Sequence, residues 1–376
     1  MSLSPAPRAA LPVPTTNLAP YAWTASYAAI GAVQSMITGQ VTGFTGLNEC
    51  HSYNQRLEYA TTKTTSNACS NPATGTTMDL SMSYNLQNGG NNGDNGSVTT
   101  IANNISTETG RTETLTYDPL NRILSAISSD HTTGHAACWG QNFGSDGKAA
   151  DDPLANLLII ASAQCNSNAL TVTVDGNNHI TGTSYSYDAA GNMTGDGQSG
   201  VTYSFDAENR MIKATPSGGP YCYVYDGNGL RVAKIQGGTG NTCTNGTYIK
   251  LYWRSLSGDA LAETDGTGSS TNAAYAEYVF FTGRRIASRT GTGAIFYYFA
   301  DQLGSTRTIT TGNGPGQTSG QLCFDQDYTP YGQEVFTTGK MSRLQTTACP
   351  TNYKFTGYER DAETGLDYAF ASLSYD

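Results

Sequence analysis

The sequence predicts an all-β protein: a large, strongly curled antiparallel sheet built from stacked β-hairpins. Three observations carry this. Gly (43) and Tyr (24) are abundant beside Asn, Ser and Thr, whereas Lys and Arg together number only 20. Turn formers mixed with Tyr and Thr suit many short strands joined by tight turns. No stretch sustains Leu, Glu, Lys and Ala at helical spacing, and a short aromatic–acidic motif recurs with turn residues at fixed offsets.

Residues 1–20 are rich in Ala and Pro and read as a flexible leader. They hold no continuous apolar core, so no signal peptide is expected there, and no stretch reads as a membrane span. From 21 to 285 the chain repeats itself. The clearest copies begin Tyr117-Asp118 (with Asn121 and Arg122), Tyr187-Asp188 (with Gly191), Phe205-Asp206 (with Asn209 and Arg210) and Tyr225-Asp226 (with Gly229). Weaker copies begin at Tyr27, Tyr53 and Tyr84.

The residue types explain the recurrence. Alternation such as Val201, Tyr203, Phe205 places every second side chain on one face and reads as a strand. The Asp that follows can hydrogen-bond the backbone of a tight turn. Gly or Asn three positions later tolerates the left-handed conformation that closes such a turn. A second short strand completes a hairpin, and hairpins are stable only when stacked on neighbours. Asp118 with Arg122 and Asp206 with Arg210 are expected to brace their own turns. Residues 128–165 look irregular, either a degenerate copy or an insertion, and the Asn88–Gly96 tract reads as a long turn.

These copies resemble the YD-repeat family, also called Rhs repeats, whose signature is Tyr-Asp-x-x-Gly-Arg-Leu. Residues 286–376 resemble, incompletely, the Rhs-associated core region. Tyr297-Tyr298 through Asp301, Gly304 and Arg307 looks like its YY-x-x-D-x-LGS-T-R motif. Tyr328 with Pro330 and Gly332 looks like its Tyr-x-Pro-(Phe/Tyr)-Gly motif. The run from Phe355 and Gly357 through Arg360, Asp361 and Gly365 to Tyr368 is similar to its FTG-x-ERD-x-ETGLDY block. The resemblance implies part of a hollow, strand-lined shell, a cocoon. In complete relatives this shell encloses and delivers a C-terminal toxin in competition between cells.

The chain departs from the family after Tyr368. The family continues with an Arg-Tyr-Tyr-Asp run and a later segment bearing self-cleaving aspartates; this chain reads Ala371 to Asp376. No enzyme activity and no cofactor are therefore expected. The implied partner is an enclosed polypeptide cargo belonging to a longer parent chain. Two other readings stand beside the shell: a cell-surface carbohydrate-binding or adhesion module with a surface glycan as partner, and a glycosidase-like β-protein.

Eight cysteines, Cys50, Cys69, Cys138, Cys165, Cys222, Cys243, Cys323 and Cys349, form no CxxC pair, which disfavours zinc ribbons and thioredoxin-like sites. They are expected to form a disulfide framework in a secreted or surface protein, paired in sequence order, rather than to lie reduced in the core. Spacing alone does not fix that connectivity. The net charge of −10 argues against a nucleic-acid partner, which would select for a basic stripe. Three constellations carry weaker signals. His131, His135 and Cys138 have a metal-like spacing but read as a polar loop. Asp94 among asparagines reads as a solvated turn rather than a calcium loop. Asp301, Asp325 and Asp327 could be imagined as glycosidase carboxylates, but the resemblance makes Asp301 structural.

Overall fold

The computed structural model describes residues 21–70, 76–88, 91–144, 156–165, 167–237, 243–271, 274–336, 343–349 and 351–369. The expected leader, residues 1–20, and the chain end from 370 to 376 lie outside the described residues, as does the 145–155 part of the irregular segment.

The strands follow one another around two antiparallel sheets in strict chain order. The first sheet has eleven strands, from Ala22–Tyr27 to Leu170–Thr171; the second has thirteen, from Ser186–Tyr187 to Leu322–Asp325. Neither closes into a barrel. Each strand therefore pairs only with its predecessor and successor, as a ribbon of hairpins requires. Two further two-stranded sheets stand outside the ribbon. One joins Asn85–Asn88 to Asn91–Asp94, so the tract read as a long turn is instead a hairpin. The other joins Glu359–Arg360 to Asp367–Tyr368. Residues 128–165 continue the first sheet: Ile123–Ser128, Gly140–Phe143 and Ile159–Gln164 pair in turn. The described parts of that segment thus continue the ribbon of strands.

The sheets share a core. Leu47, Met78, Leu80 and Met82 of the first pack with Ala287, Tyr297 and Phe299 of the second. Val33 and Met36 pack with Ile286. Alternation places these side chains on the facing surfaces, and their burial is the main apolar gain of bringing the two sheets together. Four disulfides join the cysteines in sequence order: Cys50–Cys69, Cys138–Cys165, Cys222–Cys243 and Cys323–Cys349.

The repeat tyrosine has a specific task. The Tyr225 hydroxyl donates to the carbonyl of Met211 at 2.8 Å, where the strand restarts after the preceding turn. Tyr53 donates likewise to Val33 and Tyr84 to Tyr59, each at 2.8 Å, and Tyr117 to Val98 at 2.6 Å. Tyr187 accepts from the N–H of Ile180 at 2.8 Å, tying the second sheet's first strand to the isolated Val174–Ile180 bridge that precedes it. In these five copies the phenol ties its hairpin to the chain before it; the Phe205 copy has no hydroxyl to do so. Tyr225→Phe is expected to cost about 1 kcal/mol, one net hydrogen bond. Calorimetry should show a thermal midpoint lower by roughly 1–2 °C; an unchanged midpoint would mean the tie is ornamental.

Candidate architectural site: repeat turns and buried charge clusters

The repeat turns share one geometry. In the Asp118 turn, the Asp118 N–H donates to the Arg122 carbonyl, and the Asn121 N–H donates back to the Asp118 carbonyl, both at 2.9 Å. The Asp118 carboxylate accepts from the N–H groups of Leu120 and Arg122 at 2.9 Å, and from Arg122 Nε at 2.8 Å. Asp206 repeats this with Glu208 and Arg210. Asp188 does so with Ala190 and Asn192, and Asp226 with Asn228 and Leu230. The residue three after the Asp is left-handed in each: Asn121 (φ 64°), Gly191 (88°), Asn209 (60°) and Gly229 (80°). Side-chain oxygens thus satisfy turn N–H groups that pairing leaves free.

Two turns of this kind had not been recognised from the sequence. Asp175 accepts from the N–H groups of Asn177 and His179, with Asn178 at φ 65°. It was missed because Val174 stands where the aromatic residue belongs. Asp301, assigned to the core motif, accepts from Leu303 and Ser305 at 3.0 Å, with Gly304 at φ 82°. The D-x-L-G-S motif is therefore one more repeat turn.

The first charge cluster clamps the two sheets together. Arg111, which leads into the first sheet's Glu113–Tyr117 strand, is buried and faces the end of the second sheet. Its guanidinium makes paired bonds to Asp325 (2.8 and 2.9 Å) and to Asp327 (2.7 and 2.8 Å). Arg307 pairs with Asp327 and, at 3.4 Å, with Asp301, while Arg343 Nε lies 3.0 Å from Asp325. Burial would raise the Asp327 carboxyl, but Arg111 and Arg307 outweigh it and hold it down at about 2. Glu113 lies beside the cluster, where burial pushes its carboxyl up to about 8. Arg307 opposes that rise; the negative charges of Asp327 and Asp301 add to it. The three aspartates imagined as glycosidase carboxylates are thus engaged by arginines rather than facing each other across a cleft.

The second cluster seats the C-terminal block on the second sheet. Buried Arg231 donates to Asp361 at 2.7 and 2.9 Å and to Glu359 at 3.0 Å. Lys234 donates to Asp361 at 2.6 Å, and Lys250 to Glu359 at 2.8 Å. Tyr252 donates to Glu359, Tyr223 to Glu363 and Tyr353 to Glu263. The Tyr368 ring lies 4.0 Å from the Arg231 guanidinium carbon. Burial would raise Glu359, yet Lys250 and Arg231 bring it down to about 2. Arg360 points elsewhere, donating to Asp367 at 2.7 Å and to the Gly332 carbonyl at 3.0 Å. That bond ties the block to the Thr329–Gln333 turn, which contains Pro330. Gly332 sits at φ 86°, and a Cβ there would meet the Phe355 ring at 2.6 Å, so this close approach requires glycine. Gly357 (φ 74°) and Gly365 (φ 75°) close turns within the block.

The metal-like trio is otherwise occupied. Cys138 is disulfide-bonded, His135 pairs with Asp130 at 3.0 Å, and His131 with Gln164 at 2.7 Å. Asp94 accepts from the Gly96 N–H and lies 3.9 Å from Arg56. The sequence offers Asp361 only as a motif residue and Arg231 only as the end of the Tyr225 copy, with nothing to join them, and it gives no signal for Lys234, Lys250, Arg111 or Glu113.

The fold of this ribbon recurs in solved structures. Over 92% of its length the chain matches a chain of TcdB2-TccC3, with a TM-score of 0.67 at 19% identity. The fold is that of a YD/Rhs-like shell. A TcdB2-TccC3-Cdc42 structure matches this shell fold at TM-score 0.66 and 19% identity, again over 92% of the chain. A Photorhabdus luminescens Tc holotoxin pore matches at TM-score 0.63 and 18% identity over the same share. The shell segment spans only 18% of the first of those chains and 17% of the other two. No family model and no curated protein matches the sequence.

Proposed function

We propose that this chain is a shell segment of a YD-repeat protein whose complete form encloses a polypeptide cargo, ahead of its release into a competing cell. The observation that carries this is the use made of the charged side chains. The scarce cations of an acidic protein are buried to clamp sheet to sheet and block to sheet, an investment in closure rather than in a reactive cleft. The likeness to toxin-complex chains supports the same reading. The repeat tyrosines spend their hydroxyls on neighbouring backbone, which argues against an open aromatic groove for glycans. No helix among the described residues is long and apolar enough to cross a membrane, and we place the protein outside the cell, as its disulfides suit.

The test compares this chain with the full product of its reading frame. Enclosure predicts that a domain encoded beyond Asp376 resists added protease while the shell is folded and is digested once the shell is unfolded. Digestion of that domain at the rate of the free domain would sink the proposal.

A further inference from the structure

One cleft of about 280 Å3 lies where the rims of three hairpins meet the C-terminal block. It is lined by Gly258, Gly283 and Gly304 of the hairpin turns and by Gly357, Tyr358 and Tyr368 of the C-terminal block. Two guanidinium groups line it, those of Arg254 and Arg285, besides Arg284, which is already paired with Glu49.

Arg285 breaks the pattern of its neighbours. Arg111, Arg231, Arg284, Arg307, Arg343 and Arg360 each have a carboxylate within 4.0 Å. For Arg285, no carboxylate stands within that range among the described residues. Its Nε is buried with no hydrogen-bond partner. The guanidinium lies against aromatic faces instead, 3.4 Å from the Tyr353 ring centre, 4.8 Å from Tyr278 and 5.2 Å from Phe280. Among the described residues Arg254 has no carboxylate partner either; it donates to the carbonyls of Arg231 and Gly258, both at 2.8 Å. Of the acids on the wall, Glu359 is already bound by Arg231, Lys250 and Tyr252, and Asp259 accepts from Ser257.

Aromatic faces offset part of the cost of a desolvated cation, but they accept no hydrogen bond in the plane of the guanidinium. A buried N–H without a partner is a cost that a suitable acceptor would relieve. We propose that this cleft is a binding site for a small oxyanion, a carboxylate or phosphate group, received by the Arg285 guanidinium with Arg254 supplying further positive charge. A guanidinium fork held flat by rings matches the paired oxygens of either group. Because Tyr353 and Tyr358 belong to the C-terminal block and Arg254 and Arg285 to the sheet, a bound anion would fasten the block to the hairpin rims.

The test uses the full chain in thermal melts against sodium phosphate and, separately, sodium succinate, with ionic strength held constant by sodium chloride. The midpoint is expected to rise and saturate with at least one of the two anions. Arg285→Lys, which keeps the charge over Tyr353 but loses the fork, should weaken the apparent affinity about tenfold. Arg254→Gln should weaken it several-fold. Saturation by succinate identifies a carboxylate site, and saturation by phosphate alone identifies a phosphoryl site. A rise that is linear in salt, matched by chloride or unchanged in both variants overturns the proposal. Arg285 would then be only a cation packed among rings.

Discussion

Arg111→Met is expected to cost about 3–5 kcal/mol, the range for removing one partner of a buried ion pair. The loss comes mainly from what stays behind. Asp325 and Asp327 each lose two charge-assisted hydrogen bonds and remain buried. Asp325 keeps Arg343 and Asp327 keeps Arg307, so the cluster is weakened rather than emptied. The partners belong to different sheets, so the damage should localise to their junction. Hydrogen exchange should quicken around Glu113–Tyr117 and Leu322–Asp325 while the Tyr221–Tyr225 hairpin stays protected. Uniform acceleration, or a loss under 1 kcal/mol, would show that the apolar core alone holds the sheets together.

Glu113→Gln should produce the opposite sign and depend on pH. The folded-state pKa of Glu113, about 8, lies above the unfolded value of about 4.3. Its contribution is therefore fully present below about pH 4.3 and is lost as pH rises towards 8, a loss of roughly 5 kcal/mol. Asp327 runs the other way: its folded pKa of about 2 lies below the unfolded 3.9. Its contribution is present above about pH 4 and lost as pH falls through 2. Glutamine cannot ionise, so the variant should match the parent near pH 4 and exceed it by several kcal/mol at pH 9. Denaturant titrations at the two pH values measure this; a difference between variant and parent that does not change with pH would refute it.

What could be read from the sequence divides by range. The Asp118 and Asp206 turns were legible because acceptor, donors and left-handed residue fall within five consecutive positions, so composition at fixed offsets reports the geometry. The Asp175 turn failed that reading only because Val174 replaces the aromatic, although His179 compensates by stacking on Tyr187 at 4.0 Å. Asn88 to Gly96 misled because Asn and Gly, poor strand formers, nevertheless pair there. The clusters were illegible for a different reason. Arg111 meets Asp325 across 214 positions and Arg231 meets Asp361 across 130, and no periodicity links residues that far apart. A cation inside a strand such as Arg231–Gln236 was the only local hint.

The strict strand order has a consequence for how such a chain can change length. A hairpin whose strands touch only the preceding and following ones could be duplicated or deleted whole, with its neighbours rejoining as before. The Arg111 clamp does not share that tolerance. It grips a position 214 residues further along the ribbon, so one hairpin more or fewer between them would carry Asp325 away from its arginine. The clamp therefore counts hairpins: it accepts the ribbon only when the circuit between its two jaws has one particular size.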